Sequence, residues 1–321
     1  MALFLTESDV LELLPLEQAL ECVEASFKAQ HRGEAINRSR ERIFLTASSL
    51  HYMAAALPGE NVVGMKIYTI TRAVWRFVVL LFDATSGELL ALLEADHLGR
   101  LRTGAASGVA TKFMARRGGS RVGVIGTGRQ ARTQLEAVTL VRPVTEARVF
   151  SRDESRRRDF CQEMSGRLRL AVEPADSAEA AARPGDIVIT ATTSSEPVVR
   201  GEWLRPGTHV NAIGANMANR REVDDDTLRR ASVIAVDSLE QARQEAGDLI
   251  QGLASLKRDW QSVHELQEIV GGSAPGRTSD DAITLFKSSG IALWDVAAAG
   301  FVYREALKRG KGTEMNLWKG E

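Results

Sequence analysis

The amino-acid sequence predicts an α/β fold in which a doubly wound parallel sheet follows a separate α+β domain. From Arg121 onward, short apolar strands alternate with helical segments, which is the pattern of parallel βαβ units. Between Ile43 and Leu93, short β-rich runs follow one another without helices between them, so a meandering sheet is expected there. A glycine-rich turn joins a strand directly to a helix at Gly126–Ala131.

Two breaks in the pattern predict the domain boundaries of this 321-residue chain, a length that suits two domains. A helix rich in small residues, Thr103–Met114, ends before a break at Arg116–Gly119. Gly290 breaks the pattern again before a last helix, from Ile291 to about Leu307. We therefore expect a first domain at 1–118 and a parallel-sheet domain at 119–290.

Composition excludes several classes of protein. The net charge is -1, with 44% hydrophobic and 26% charged residues, so a broad nucleic-acid-binding surface is not expected. The two cysteines, Cys22 and Cys161, lie far apart, and no CxxC or HExxH pattern occurs, so we predict no metal site and a reducing, cytoplasmic location. No signal peptide is predicted, because Met1–Val10 carries Glu7 and Asp9 and lacks a positively charged start. No membrane span is predicted, because the uncharged stretch Ile43–Gly59 contains several polar residues and a proline.

The glycine-rich turn has the GxGxxA pattern of the Rossmann dinucleotide fingerprint. The apolar strand Val122–Ile125 runs straight into it, and a helix follows. Gly126 permits the tight turn, Gly128 lets the backbone approach a pyrophosphate, and Ala131 allows close packing of helix and strand. The free N–H groups at the helix N-terminus favour phosphate. The predicted cofactor-binding residues of this turn are Gly126, Thr127, Gly128, Arg129, Gln130 and Ala131.

The residues after the next strands bear on the choice of cofactor. Enzymes that use NAD usually place Asp or Glu at the end of the second strand, where this chain has Ser151 and Arg152. Both residues can bind a 2′-phosphate, so NADP(H) is favoured and NAD(H) stays open. The alternative is that Arg152 is a solvated residue at the start of a helix. Thr192 and Thr193 follow a later strand and are predicted near the nicotinamide ribose, with backbone capping as the alternative.

The substrate site is predicted from basic residues in unusual places. Lys66 lies in an apolar β-rich run, VGMKIY, where a lysine is either at an edge or has a chemical role. Arg102 and Thr103 are predicted at the start of the small-residue helix, where an arginine can hold a carboxylate with two hydrogen bonds and Thr103 can contact the cofactor.

These motifs together resemble the ornithine cyclodeaminase/mu-crystallin family. The shared elements, in order, are the Lys66 strand, Arg102–Ser107, Gly126–Ala131, His209–Gly214, Glu245–Asp248 and Leu285–Gly290. The resemblance implies a homodimer whose substrate-binding and dimerisation domain is the N-terminal part, completed by the closing segment 291–321. It also implies that Lys66, Arg102 and one arginine before the first strand bind a substrate carboxylate. Spacing back from Met53 favours Arg40, while Arg38 and Arg42 stay open.

One departure from the family pattern favours reduction over cyclodeamination. Ornithine cyclodeaminases have a catalytic Asp after the Asn-Ala-x-Gly run, where this chain has Asn216. A neutral amide cannot act as a base. The chain therefore resembles the imine-reducing branch, with Lys66 and Asn216 as the predicted catalytic residues. The expected enzyme is an NADPH-dependent reductase of a cyclic imino acid such as Δ1-pyrroline-2-carboxylate or Δ1-piperideine-2-carboxylate.

Two alternatives stay open at this point. One is ornithine cyclodeamination or oxidative deamination of an amino acid such as alanine or arginine, which uses the same carboxylate site. The other is a non-catalytic, mu-crystallin-like protein that binds NADPH. The side-chain pocket is expected to draw on Tyr68, Trp75 and Trp294, unless the tryptophans serve only in packing. Asp295 is a candidate for approaching the site, whereas Glu245 and Asp248 are expected to be structural.

Overall fold

A computed structural model describes residues 2–118 and 120–317. As far as Met114, the elements are β1 (Ala2–Leu5), α1 (Glu7–Leu13), α2 (Leu16–His31), β2 (Ile36–Asn37), β3 (Glu41–Phe44), β4 (Ser48–Leu57), β5 (Val62–Thr71), β6 (Trp75–Asp83), β7 (Leu89–Glu94) and α3 (Asp96–Met114). The remainder are β8 (Ser120–Ile125), α4 (Arg129–Val141), β9 (Val144–Phe150), α5 (Glu154–Leu168), β10 (Ala171–Pro174), α6 (Ala178–Ala182), β11 (Ile187–Thr190), β12 (His209–Ala212), α7 (Asp225–Arg230), β13 (Ala231–Val236), α8 (Leu239–Glu245), α9 (Gly247–Leu256), β14 (Val263–Glu265), α10 (Leu266–Gly271), β15 (Ile283–Lys287), α11 (Ala292–Arg309) and β16 (Thr313–Met315).

The chain divides into two compact units. The first unit consists of Met1–Arg102 and Ile291–Glu321, and the second of Thr103–Gly290. The second boundary lies at Gly290, where the sequence also places it. The first boundary lies inside α3, whereas the sequence prediction puts it between 118 and 119, and residue 119 is outside the described residues. The local sequence indicates where a helix ends, whereas the end of a compact unit depends on contacts between residues far apart in the chain.

The first unit contains the predicted meander. Strands β4, β5, β6 and β7 pair antiparallel with their sequence neighbours. The sheet continues through β1, which pairs parallel with β7, to β16 at one edge, and β2 and β3 both pair with β4 at the other. Burial alternates along β5, as expected for a strand with one face covered. Alternate residues such as Lys66 and Tyr68 therefore lie on the same face.

The second unit has a fully parallel sheet among the residues described. Its strand order is β10-β9-β8-β11-β12-β15-β13-β14. The order reverses between β8 and β11, which makes the carboxyl ends of these two strands the topological switch point where open α/β sheets bind ligands. The predicted doubly wound α/β fold is confirmed.

The prediction for the start of α3 was wrong. Helix α3 begins at Asp96, so Arg102 lies in its second turn rather than at its start. The cap comes from a distant residue: the Glu7 carboxylate accepts hydrogen bonds from the main-chain N–H groups of Asp96 and His97, at 2.6 and 2.8 Å. Across 2–118 and 120–317, no helix is long and apolar enough to cross a membrane.

Candidate functional site

Three charged side chains meet inside the first unit. Asp295 on α11 accepts hydrogen bonds at its Oδ1 from Lys66 Nζ on β5, at 2.7 Å, and from Arg102 Nε on α3, at 3.1 Å. All three side chains are buried. A Cβ at Gly99 would lie 3.0 Å from Lys66 Nζ, so α3 passes close to the lysine at this residue. The structure thus brings Lys66 and Arg102 together around a shared aspartate.

Several polar atoms of this cluster are buried without a partner. Arg102 Nη1, Asp295 Oδ2 and the indole Nε1 of Trp294 have no hydrogen-bond partner among the residues that the structure describes. The Arg102 guanidinium also lies 5.5 Å from the Trp294 ring centroid. Buried polar groups are normally satisfied, and orphaned ones require an explanation. A polar ligand that both accepts and donates hydrogen bonds would satisfy them.

The electrostatics of the cluster act on Lys66. Burial, followed by repulsion from Arg102, lowers the pKa of Lys66 to about 8, although Asp295 favours its charged form. Arg40 adds a smaller repulsion of the same sign. A lysine in this range can gain or lose a proton near neutral pH, as a general acid requires.

The structure distinguishes the three arginines before β4. Arg40 is only 4% exposed, and its Nη2 lies 4.0 Å from the Sδ of Met53, the residue paired with Lys66 across the sheet. Arg38 is exposed and Arg42 is half-buried. Arg40 is therefore the arginine best placed to join Lys66 and Arg102.

An aromatic row borders the cluster on the same face of the sheet. His51 stacks on Tyr68 with ring centroids 4.5 Å apart, and Tyr68 stacks on Phe77 at 5.1 Å. Lys66 Nζ lies 5.5 Å from the Phe77 centroid, so the row adjoins the charged cluster. Burial, aided by the positive charges of Arg42 and Arg40, lowers the pKa of His51 to about 4. The three rings of the aromatic row are therefore uncharged at neutral pH.

The predicted pocket tryptophans have different environments. Trp294 is fully buried and packs edge-on against Phe27 at 5.5 Å, and its ring lies beside the Arg102 guanidinium. Trp75 is 51% exposed at the start of β6. Tyr68 is a member of the aromatic row.

The glycine-rich turn of the second unit has the geometry of the dinucleotide fingerprint. Gly126 has φ +107°, and a Cβ there would lie 2.4 Å from the Ala191 carbonyl oxygen, so only glycine fits. Gly128 is the N-cap of α4, and a Cβ at Gly128 would meet no atom within 4 Å. Ala131 is fully buried in the first turn of α4. Thr127 precedes this helix, and Arg129 and Gln130 begin it.

The other predicted cofactor residues lie in the same unit. Ser151 and Arg152 follow β9, where the Ser151 hydroxyl donates to the Asp153 carbonyl oxygen at 2.9 Å and Arg152 is exposed. Asp153 caps α5, where its carboxylate accepts a hydrogen bond from the main-chain N–H of Arg156 at 3.0 Å. Thr103 is buried on α3, and its carbonyl oxygen accepts a hydrogen bond from Gln134 Nε2 at 3.0 Å.

A buried carboxylate missed by the sequence analysis organises the carboxyl ends of β11 and β12. The Glu222 carboxylate accepts hydrogen bonds from the main-chain N–H and the hydroxyl of Thr192. It also accepts from the main-chain N–H groups of Gly214 and Ala215. Thr193 is exposed beside this contact, and Asn216 is half-buried directly after it. No local pattern marks Glu222, because its partners come from two other segments.

Asp248 and Lys287 extend this buried network. Asp248 Oδ1 accepts from the main-chain N–H groups of Glu222 and Val223, at 2.6 and 2.9 Å, and its Oδ2 lies 3.1 Å from Lys287 Nζ. Lys287 also donates to the Ala215 carbonyl oxygen. These contacts support a structural role for Asp248.

Among the described residues, no group of three or more His, Cys, Asp or Glu side chains is arranged to hold a metal ion.

Comparison with known proteins gives a consistent result. The family model described as the ornithine cyclodeaminase/mu-crystallin family matches residues 1–310. A Δ1-pyrroline-2-carboxylate reductase of Bacillus cereus is 35% identical over 83% of this chain and 84% of that protein. The solved structure of the Δ1-pyrroline-2-carboxylate reductase of Thermococcus litoralis, in complex with NADH and L-proline, has a TM-score of 0.94 at 36% identity and covers 98% of this chain and 100% of its own.

A second solved structure comes from a different enzyme. An archaeal alanine dehydrogenase, a dimer with bound NAD, has a TM-score of 0.93 at 31% identity, with 99% of each chain covered. The similarities thus extend over nearly the whole chain and include both a reductase and a dehydrogenase. The chain belongs to the ornithine cyclodeaminase/mu-crystallin family.

Proposed function

We propose that this protein is an NAD(P)H-dependent reductase of a cyclic α-imino acid of the Δ1-pyrroline-2-carboxylate or Δ1-piperideine-2-carboxylate type. The observation that carries the proposal is the buried cluster of Lys66, Arg102 and Asp295, in which cations outnumber anions and buried polar atoms lack partners. The Δ1-pyrroline-2-carboxylate reductases of Bacillus cereus and Thermococcus litoralis support the same chemistry.

The cations of the cluster would hold the substrate carboxylate. Arg102 Nη1 is buried without a hydrogen-bond partner and would donate to the carboxylate. Lys66 Nζ and the neighbouring Arg40 add positive charge. In a buried setting, charge-assisted hydrogen bonds of this kind are strong and directional. The carboxylate would fix the adjacent imine carbon in position, and such positioning accounts for much of the acceleration in hydride-transfer enzymes.

Residues of the chain would also control the protonation of the substrate nitrogen. A reduced nicotinamide, when bound, would supply the hydride for the imine carbon, and the electrons of the C=N double bond would pass to nitrogen. The nitrogen must carry one proton for this step. Either the imine binds already protonated or Lys66 donates the proton, which its pKa of about 8 allows. Asn216, a neutral amide, cannot serve as a base.

The glycine-rich turn would hold the cofactor pyrophosphate. The open space at Gly128 and the N-terminus of α4 suit a phosphate group, and Gly126 and Ala131 keep the turn compact. We propose NADP(H) as the preferred form, because Ser151 and Arg152 stand where a carboxylate would repel a 2′-phosphate. NAD(H) is the alternative, and the solved relatives contain NADH and NAD.

The test is turnover of Δ1-pyrroline-2-carboxylate and Δ1-piperideine-2-carboxylate with NADPH and with NADH, followed by the nicotinamide absorbance. Imine-dependent oxidation of NADPH that is lost in Lys66→Ala and Arg102→Ala supports the proposal. Release of ammonia and proline from ornithine without imine turnover would contradict it. Cofactor binding with no turnover of any imino or amino acid would indicate the non-catalytic alternative.

A second candidate function runs in the oxidative direction on a different substrate: the oxidative deamination of an acyclic amino acid such as alanine, in which water hydrolyses the imine and releases ammonia. The archaeal alanine dehydrogenase is similar over nearly its whole length, and the same carboxylate site would serve. The aromatic row of His51, Tyr68 and Phe77 contributes no carboxylate that would pair with the cationic side chain of arginine or ornithine. Turnover of alanine with NAD⁺, compared with imine reduction, distinguishes the two functions.

We further propose that the protein is a cytoplasmic homodimer. The archaeal alanine dehydrogenase is a dimer, and the first unit of this chain exposes the large apolar side chains of Phe44, Leu45 and Trp75. Cys22 and Cys161 are free thiols, which fits a reducing compartment. Sedimentation equilibrium would test the assembly, and a monomer at micromolar concentration would contradict it.

A further inference from the structure

Asp295 is an acidic residue in a site whose other charged residues are basic. Its side chain is fully buried on α11, and a single oxygen, Oδ1, accepts the hydrogen bonds from both Lys66 and Arg102. The second oxygen, Oδ2, is buried and has no hydrogen-bond partner in 2–118 or 120–317. An unsatisfied carboxylate oxygen in a buried site is costly, so a donor from the ligand is the expected partner.

The other unsatisfied atoms of the cluster are donors. Arg102 Nη1 and Trp294 Nε1 are buried and lack partners within the described part of the chain. A simple carboxylate could satisfy these donors but would leave Asp295 Oδ2 without a proton to accept. The complementary ligand therefore accepts hydrogen bonds through an anion and donates one from a nearby N–H. A protonated α-imino acid and an α-amino acid both have this arrangement.

We propose that Asp295 binds the protonated nitrogen of the substrate, so that the site selects zwitterionic α-imino and α-amino acids over simple carboxylates. This inference rests on the proposed function and adds a substrate-binding role for a residue of the closing helix. Asp295 would supply a negative charge next to that nitrogen. It would also favour the iminium form of a cyclic imine, whose carbon accepts a hydride more readily than that of the neutral imine.

The alternative role for Asp295 is purely one of positioning: its Oδ1 would hold Lys66 and Arg102 in place, and Oδ2 would contact nothing of the substrate. The two roles differ in which ligands they affect. A positioning residue affects every carboxylate that the two cations bind. A residue that binds nitrogen affects only ligands with an N–H group.

The experiment compares L-proline with cyclopentanecarboxylate, which has the same ring and carboxylate but no nitrogen. Binding of each is measured by calorimetry with saturating oxidised cofactor, for wild type and Asp295→Asn. Asn keeps an acceptor oxygen for Lys66 or Arg102 while removing the negative charge. The control is Glu305→Gln, which also neutralises an acid on α11 but at a site where the glutamate pairs with Lys308 and Arg309.

We expect wild type to prefer proline by about 10- to 100-fold, the range of a charged hydrogen bond. Asp295→Asn should lose most of that preference, with cyclopentanecarboxylate bound as well as before, and Glu305→Gln should keep it. Equal affinity of wild type for the two ligands would overturn the inference, even if Asp295→Asn fails to fold. Equal weakening of both ligands in Asp295→Asn would also overturn it. If proline discrimination depends on Asp295 but no imine is reduced, the proposed function fails and this inference stands.

Discussion

The buried carboxylate of Glu222 accepts hydrogen bonds from both the main-chain N–H and the hydroxyl of Thr192, at 2.7 and 2.8 Å. Its other oxygen accepts from the main-chain N–H groups of Gly214 and Ala215, at 2.5 and 3.1 Å. One side chain therefore joins the segments that follow the neighbouring parallel strands β11 and β12. Gly214 is packed so tightly here that a Cβ would lie 2.1 Å from the Thr192 carbonyl oxygen.

Replacing Glu222 by Gln should loosen both segments, because the amide presents N–H groups to donors that need an acceptor. If Thr192 and Thr193 contact the nicotinamide ribose, the Kd for NADPH should rise about 10-fold, and the melting temperature should fall by several degrees. Fluorescence titration and thermal unfolding measure the two effects. Glu202→Gln, at an exposed glutamate, is the control. A folded Glu222→Gln protein with unchanged cofactor affinity would contradict the prediction.

Arg40 and Arg38 form a natural pair of test and control. Arg40 is buried beside Met53, whereas Arg38 is exposed and its main-chain N–H bonds the Ala54 carbonyl oxygen, a contact that survives substitution by Ala. We expect Arg40→Ala to raise the KM for a cyclic imino acid by about 10- to 100-fold, since it removes a charged partner of the carboxylate. Arg38→Ala should leave KM within a few-fold of wild type. Similar effects of the two substitutions would place the arginine contact elsewhere.

The pKa of Lys66 predicts the alkaline limb of the pH profile. Burial and Arg102 lower this pKa to about 8, so Lys66 is protonated below that pH and neutral above it. If the protonated form binds the carboxylate or donates the proton, kcat/KM should fall as pH rises through about 8. In Lys66→Arg, whose guanidinium stays charged throughout, any activity retained should lack this limb. Comparing both proteins on one substrate cancels the titration of the substrate nitrogen. An identical limb in Lys66→Arg would assign it to another group.

The sequence was informative where function depends on contiguous residues. Gly126–Ala131 could be recognised because the turn, the strand before it and the helix after it all lie within one short segment. The meeting of Lys66 with Asp295 joins residues 229 positions apart, so no local pattern could establish it. Glu222 was missed for the same reason. The boundary inside α3 was missed because the sequence of a continuous helix does not show where its packing partners change. Residue types and local turns are thus readable from sequence, while pairings across the fold require the packed structure.

The cofactor preference can be tested at the end of β9. Arg152→Ala should weaken NADPH more than NADH, because the loss of a guanidinium matters only where a 2′-phosphate is present. Ser151→Asp should shift the preference toward NADH by placing a carboxylate near the ribose 2′-hydroxyl. The ratio of kcat/KM for the two cofactors measures both effects. A wild-type preference for NADH that Arg152→Ala does not change would contradict the NADP(H) proposal.

The two glycines of the fingerprint turn should respond differently to alanine. At Gly126 the backbone has φ +107° and a Cβ would lie 2.4 Å from the Ala191 carbonyl oxygen, so Gly126→Ala should destabilise the second unit itself. At Gly128 φ is -73° and a Cβ would meet no protein atom within 4 Å, so Gly128→Ala should fold and melt like wild type. It should nevertheless lose at least about 10-fold in cofactor affinity, because the methyl group would occupy space that a pyrophosphate needs. Circular dichroism melting and fluorescence titration of both variants measure this contrast. Normal cofactor affinity in Gly128→Ala would mean that the pyrophosphate does not approach the turn at this residue.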